Sequence, residues 1–183
     1  DDITSIEPVT VVMSAKGRVR AAKGHDIDPS ALNYKSGDGF KYAAKGRSNQ
    51  SAVILDSTGR CYSVPVRSMP SARGQGEPLT GKISPPSGAS FEGLLMGADD
   101  DRYVLASSAG YGFVGTIADM HVSKKAGKVV LSVPKAASVL SPTPVHYWKL
   151  SNGEYLRSVV RNGWSVSVMS VDEASDMIAF GSS

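Results

Sequence analysis

Short apolar runs rich in β-branched residues recur along this chain, and each is followed by a turn and a second run. Residues 9–13 form the first, and Ser14-Ala15-Lys16-Gly17 reads as a tight turn. Residues 18–23 then alternate basic and apolar positions. Alternation of this kind predicts a β-hairpin with one buried face and one basic face. Arg18 and Arg20 are its expected outward set, with Lys16 and Lys23 at the ends. The pattern returns at 51–55, Asp56-Ser57-Thr58-Gly59 and 60–64, and again at 102–106, Ser107-Ser108-Ala109-Gly110 and 111–114. Residues 177–183 are expected to open the same pattern once more.

The turn glycines Gly17, Gly59 and Gly110 are spaced by steps of 42 and 51 residues. Periods of this size mark an array of supersecondary units, here four-stranded β-units. The expected units are 1–50, 51–98 and 99–145, with the start of another at 171–183. Residues 146–170 exceed the period by about 25 residues. The Asn152-Gly153 and Asn162-Gly163 pairs are turn formers, so this stretch is expected to be an inserted hairpin or meander.

The loop chemistry changes the picture at Ser71-Ala72-Arg73-Gly74-Gln75-Gly76-Glu77-Pro78-Leu79-Thr80-Gly81-Lys82. A loop so rich in glycine exposes backbone N–H groups and admits a bulky anion. Its second half matches the G-x-x-x-x-G-K core of a nucleotide-binding P-loop, yet the context excludes that reading. Ile83 stands where a magnesium-binding hydroxyl is needed. Ser84-Pro85-Pro86 blocks the helix whose N-terminus must face the phosphates, and Pro78 removes a donor. A polymer phosphate backbone is the better-fitting anion.

The formal net charge of the 183 residues is only +3, so a nucleic-acid surface requires segregation of charge within the fold. The segregation is visible. Residues 9–25 hold no acid, and Lys45 and Arg47 close a second acid-free strand. Lys124, Lys125 and Lys128 precede an apolar run, at a place comparable to the Arg73–Lys82 loop. Acids gather in the links, at Asp26 and Asp28, Asp99-Asp100-Asp101 and Asp172-Glu173. The single cysteine, Cys61, excludes an internal disulfide and sits in a strand-like run as a small packed residue. No stretch reaches membrane-spanning length. The abrupt ends, Asp1-Asp2 and Gly181-Ser182-Ser183, suggest a piece of a larger protein.

Catalytic chemistry finds little support. His25-Asp26-Ile27-Asp28 lacks a second ligand cluster, and turn formation before Pro29 explains Asp28. His121 and His146 have no evident partners. Tyr34, Tyr62, Tyr103 and Tyr111 read as packing residues. Three function classes are carried: a nucleic-acid-binding module, a propeller-like protein-interaction scaffold, and an all-β enzyme, which lacks a convergent site.

Residues 7–14, 24–28, 32–35, 56–60, 70–82 and 109–113 together resemble the C-terminal domain of the A subunit of bacterial DNA topoisomerase IV, in the gyrase A C-terminal domain family. The resemblance runs from residue 7 to about 145 and resumes at 172–183. It implies an all-β fold, a β-pinwheel or propeller-like disc of strand-exchanging four-stranded blades, here partial, whose basic rim binds and bends duplex DNA. It implies a non-catalytic module without metal or cofactor of its own. The parent enzyme would use Mg2+ and ATP, with ATP on the partner B subunit (ParE) of a heterotetramer, in the cytoplasm at the nucleoid. The gyrase relatives carry a box rich in arginine, glutamine and glycine, and residues 71–76 stand in its place with one arginine and no lysine. The expected DNA-binding set is Lys16, Arg18, Arg20, Lys23, Lys45, Arg47, Arg60, Arg67, Arg73, Lys82, Lys124, Lys125 and Lys128.

Overall fold

The computed structural model describes residues 5–149, 155–161, 164–170 and 177–179. Its strands build antiparallel sheets, as the alternation requires. The first hairpin pairs β1 (Pro8–Ser14) with β2 (Arg18–Lys23), Val11 opposite Ala21. β3 (Phe40–Arg47) pairs with the other side of β1. The second hairpin joins β4 (Ser51–Asp56) to β5 (Arg60–Pro65). The third, further along the chain, joins β8 (Arg102–Ala106) to β9 (Tyr111–Thr116).

Each of these sheets is completed by a strand from further along the chain. β6 (Glu77–Pro78) lies beyond the second hairpin yet pairs with β2, giving the order β3-β1-β2-β6. β7 (Phe91–Leu95) pairs with β4, and β10 (Lys128–Val129), from beyond the third hairpin, pairs with β5. The second sheet therefore runs β10-β5-β4-β7. β11 (Thr143–Pro144) pairs with β8. β12 (His146–Lys149), β13 (Tyr155–Arg161) and β14 (Trp164–Ser170) form a three-stranded antiparallel sheet. β15 (Met177–Ala179), expected to open a further hairpin, pairs with β9, Ile178 opposite Gly112. It takes the place in the third sheet that β6 and β10 take in the first two.

The hydrophobic layers lie between sheets. Val9, Val11, Met13 and Val19 of the first sheet meet Ala52, Ile54, Tyr62 and Val64 of the second. The alternate residues Val53, Leu55 and Cys61 face the other way, toward Leu105, Ile117, Met120 and Leu131. The run 52–55 is thus apolar throughout because both faces are covered. Val53, Ile54 and Leu55 each contribute about 1.5–3 kcal/mol on burial. Val104, Ala106 and Val114 form the next layer with Val145. α1 (Ile117–Met120) is a single turn, capped by Thr116, whose Oγ1 accepts from Asp119 N–H.

Neighbouring sheets converge on one edge. Lys41 Nζ of β3 donates to Phe91 O of β7 at 2.7 Å. The donated strands β6, β10 and β15 lie at the opposite edge of their sheets.

Candidate nucleic-acid interface

The donated strands carry the basic loops with them. Before β6 runs the 71–76 loop, and before β10 runs 123–127, ending in Gly76 and Gly127. Both glycines have positive φ, 82° and 71°. A Cβ on Gly76 would lie 3.0 Å from Val19 O, and one on Gly127 would lie 2.5 Å from Cys61 O. Val19 and Cys61 hold matching places in β2 and β5, so the two loops are structural repeats. The second loop is tied to the chain that follows β6 and its 3-10 turn, where Ser84 N–H donates to Lys125 O at 2.8 Å.

The expected basic residues fall into two kinds. Arg73, Lys124 and Lys125 are exposed on these loops, and Lys16, Lys23, Lys45, Arg47 and Arg67 are exposed elsewhere. Lys23, Lys45 and Arg47 share one end of the first sheet, where Thr10 lies opposite Lys45 and Val9 opposite Lys23. Lys16 sits at the hairpin turn beside Asp38, whose Oδ1 accepts the Lys16 backbone N–H at 2.9 Å. Burial tends to raise the Asp38 carboxyl. Hydrogen bonds from Ser14, Gly39 and Lys16, with the Lys16 charge, outweigh it and hold the group below its ordinary value.

The second kind is turned into the protein. Arg20, expected to point outward, is 2% exposed. Its guanidinium donates to Asn33 O at 2.8 Å and to Gly74 O, and stacks on Tyr34 at 4.6 Å. Arg18 is half-buried, donating to Gln75 O at 3.3 Å and Gly76 O at 2.6 Å. Alternation placed these two arginines on the correct face, but the 29–35 and 71–76 segments cover it. Arg60 repeats Arg18 in the second sheet, reaching Ala126 O at 3.4 Å. Lys82 donates to Ser68 O at 2.8 Å and pairs with Glu77 at 3.4 Å. Lys128 donates to Asp119 O at 2.5 Å. Lys41, not in the expected set, lies on β3 with Lys45 and Arg47, but its ammonium is held by Phe91 O.

The P-loop reading fails in the structure as it does in the sequence. Leu79–Gly81 is a 3-10 turn, and the next element after Lys82 is the strand β7, with no helix between. Among the described residues no group of three His, Cys, Asp or Glu side chains could hold a metal. Asp28 instead caps the 3-10 turn Pro29–Ala31, accepting from Ser30 N–H at 3.1 Å. His121, without evident partners in the sequence, has Ser63 Oγ at 3.4 Å from Nδ1 and Asp99 Oδ1 at 3.5 Å from Nε2. Those contacts are at the limit of hydrogen bonding. Ser63 Oγ also accepts Val122 N–H at 3.0 Å. Cys61 is buried, its Sγ–H toward Met120 O at 3.1 Å. No described helix is long and apolar enough to cross a membrane.

Four-stranded sheets packed face to face, each closed by a strand from the next unit, define a β-pinwheel. No protein-family model matches the chain. The chain is 60% identical over 144 residues to the DNA topoisomerase 4 A subunit of Pseudomonas aeruginosa, covering 79% of this chain and 19% of that protein. The solved C-terminal domain of Escherichia coli ParC superposes with a TM-score of 0.73 at 48% identity, over 82% of this chain and 64% of that one. The gyrase A C-terminal domain shares the fold, with a TM-score of 0.55 at 15% identity over 85% of this chain and 56% of that one. The chain belongs to the topoisomerase IV A-subunit family and corresponds to its C-terminal β-pinwheel domain.

Proposed function

We propose that this chain is a module that binds and bends duplex DNA along its donated-strand edge. The observation that carries the reading is the repeated loop, at 71–76 and 123–127, which exposes Arg73, Lys124 and Lys125 while neighbouring cations brace its backbone. Exposed cations displace counterions condensed on DNA, and affinity grows with each phosphate neutralised. Strand-borne and loop-borne lysines and arginines meet the backbone and read no base edges. A surface that follows the edges of successive sheets favours duplexes that bend, so sequence preference would arise from deformability.

In the whole protein such a module would present a transported DNA segment to a cleavage core and bias topological outcome. The cleaving tyrosine, Mg2+ and ATP would belong to other domains and to the ParE subunit of a heterotetramer acting at the nucleoid.

Binding of a short duplex across a salt series tests the reading. Log affinity should fall linearly with log salt, with a slope near −0.9 per phosphate contact. Arg73→Gln with Lys124→Gln and Lys125→Gln should flatten that slope. No binding at low salt, or equal competition by an acidic protein, would transfer the surface to a protein-interaction role.

A further inference from the structure

We infer that Arg18 and Arg20 are positioning residues that set the 73–76 loop as a phosphate-binding nest without touching DNA themselves. The inference rests on the DNA-binding reading and names how one phosphate is held.

The geometry begins with the carbonyls. Those of Gly74, Gln75 and Gly76 are all drawn toward the two guanidinium groups. A peptide unit is planar and trans, so its N–H points opposite to its C=O. Drawing in Gly74 O turns Gln75 N–H away from the arginines, and drawing in Gln75 O does the same for Gly76 N–H. Neither N–H has a protein acceptor among the described residues. Successive outward N–H groups at a residue of positive φ form an anion-binding concavity, and Gly76 supplies that φ at 82°. Arg73 is exposed beside it.

A second observation points to the same occupant. The Arg20 Nη2 atom is buried with no acceptor. Neither described ion pair involves Arg18 or Arg20, so among the described residues no carboxylate pairs with them. A buried guanidinium keeps its charge. Its field therefore emerges through the loop that lies over it, where an external anion meets it. The second sheet uses a lighter form of the device, with Arg60 alone on Ala126 O and Gly127 in the place of Gly76. In the third sheet the matching residue is Tyr111, which cannot hold a carbonyl with a charged fork.

The test is amide NMR and duplex binding on the whole chain, comparing wild type with Arg20→Lys, Arg18→Lys and Arg73→Gln, and thermal unfolding alongside. In the wild type, short duplex DNA should shift the Gln75 and Gly76 amide resonances. Arg20→Lys keeps the charge but loses the fork. It should weaken binding by about tenfold, the scale of a lost charge-assisted pair, leave the salt slope unchanged, and abolish those two amide shifts. Arg73→Gln should flatten the slope by about 0.9 and keep the shifts. If Arg20→Lys fails to fold, Arg18→Lys carries the same comparison from a half-buried site. Unmoved Gln75 and Gly76 amides in a wild type that binds duplex would overturn this inference alone. Failure of the wild type to bind duplex at all would overturn the DNA-binding reading and this inference with it.

Discussion

Tyr62 donates its hydroxyl to Asp56 Oδ2 at 2.6 Å, and both residues, of the second sheet, are fully buried. The other Asp56 oxygen accepts Thr58 N–H at 2.8 Å, Thr58 Oγ1–H at 2.6 Å and Arg60 N–H at 3.0 Å. One carboxylate therefore closes the second hairpin and anchors its core tyrosine. Ser14 and Ser107 hold the same turn position, accepting from Arg18 N–H and Ala109 N–H. Tyr62→Phe removes one donor from a buried carboxylate and should cost about 1.5–3 kcal/mol. Urea unfolding measures it. A loss within error would mean that water replaces the hydroxyl.

Burial pushes the Cys61 thiol up to about 11 from its ordinary 9.0, with the Asp56 charge adding and the Lys128 charge opposing. Burial first, then the bond and charge of Asp56, raises the Tyr62 hydroxyl as well. An unfolded chain releases the thiol proton from about pH 9, while the folded chain holds it to about 11. The folded state then binds more protons, so stability falls as pH rises through that window. Cys61→Ala should show a shallower decline in unfolding free energy over the same range. At neutral pH the native thiol should resist alkylation and the unfolded one should not.

Gly127→Ala places a Cβ 2.5 Å from Cys61 O at a φ of 71°. Strain of this kind costs about 1–3 kcal/mol, and it should loosen β10 from β5. Gly74 has nothing within 4 Å of an added Cβ, and Gly74→Ala should leave the melting temperature near that of the wild type. Paired thermal melts decide between a backbone requirement and mere glycine abundance.

Exposed and braced cations should separate in two measurements. Lys124→Gln with Lys125→Gln should reduce the salt slope by about 1.8 and leave stability unchanged, since both side chains are exposed. Arg60→Gln should lower stability by about 0.5–1.5 kcal/mol through the lost bond to Ala126 O and change the slope less. Equal effects on the slope would place Arg60 on the DNA surface.

The hairpins were legible because their signals are local. Period-two alternation, a turn former and a glycine lie within a few residues of one another. The donated strands were not, since β6, β10 and β15 are two or three residues long and pair with distant partners. Arg20 shows the same limit in a side chain. Its strand face follows from its neighbours, but its burial depends on Asn33, Tyr34 and Gly74. The period was legible only in part. β13 and β14 pair to Arg161 opposite Trp164, and in the sequence Gly163 stands 53 residues after Gly110. In chain order this pair stands where a fourth hairpin is due, and β15 follows it as β6 follows the second.

Strand donation also determines how the fold carries tension. The 71–76 loop leaves the second unit and ends in the outer strand of the first sheet. A polymer pulling on Arg73 therefore pulls on β6 against β2 and, through the chain, on β5 against β4. Peeling one sheet open requires shearing its neighbour as well. A bent, stiff duplex held along this edge would spread its recoil over several interlocked sheets, and no single hairpin would have to resist it alone.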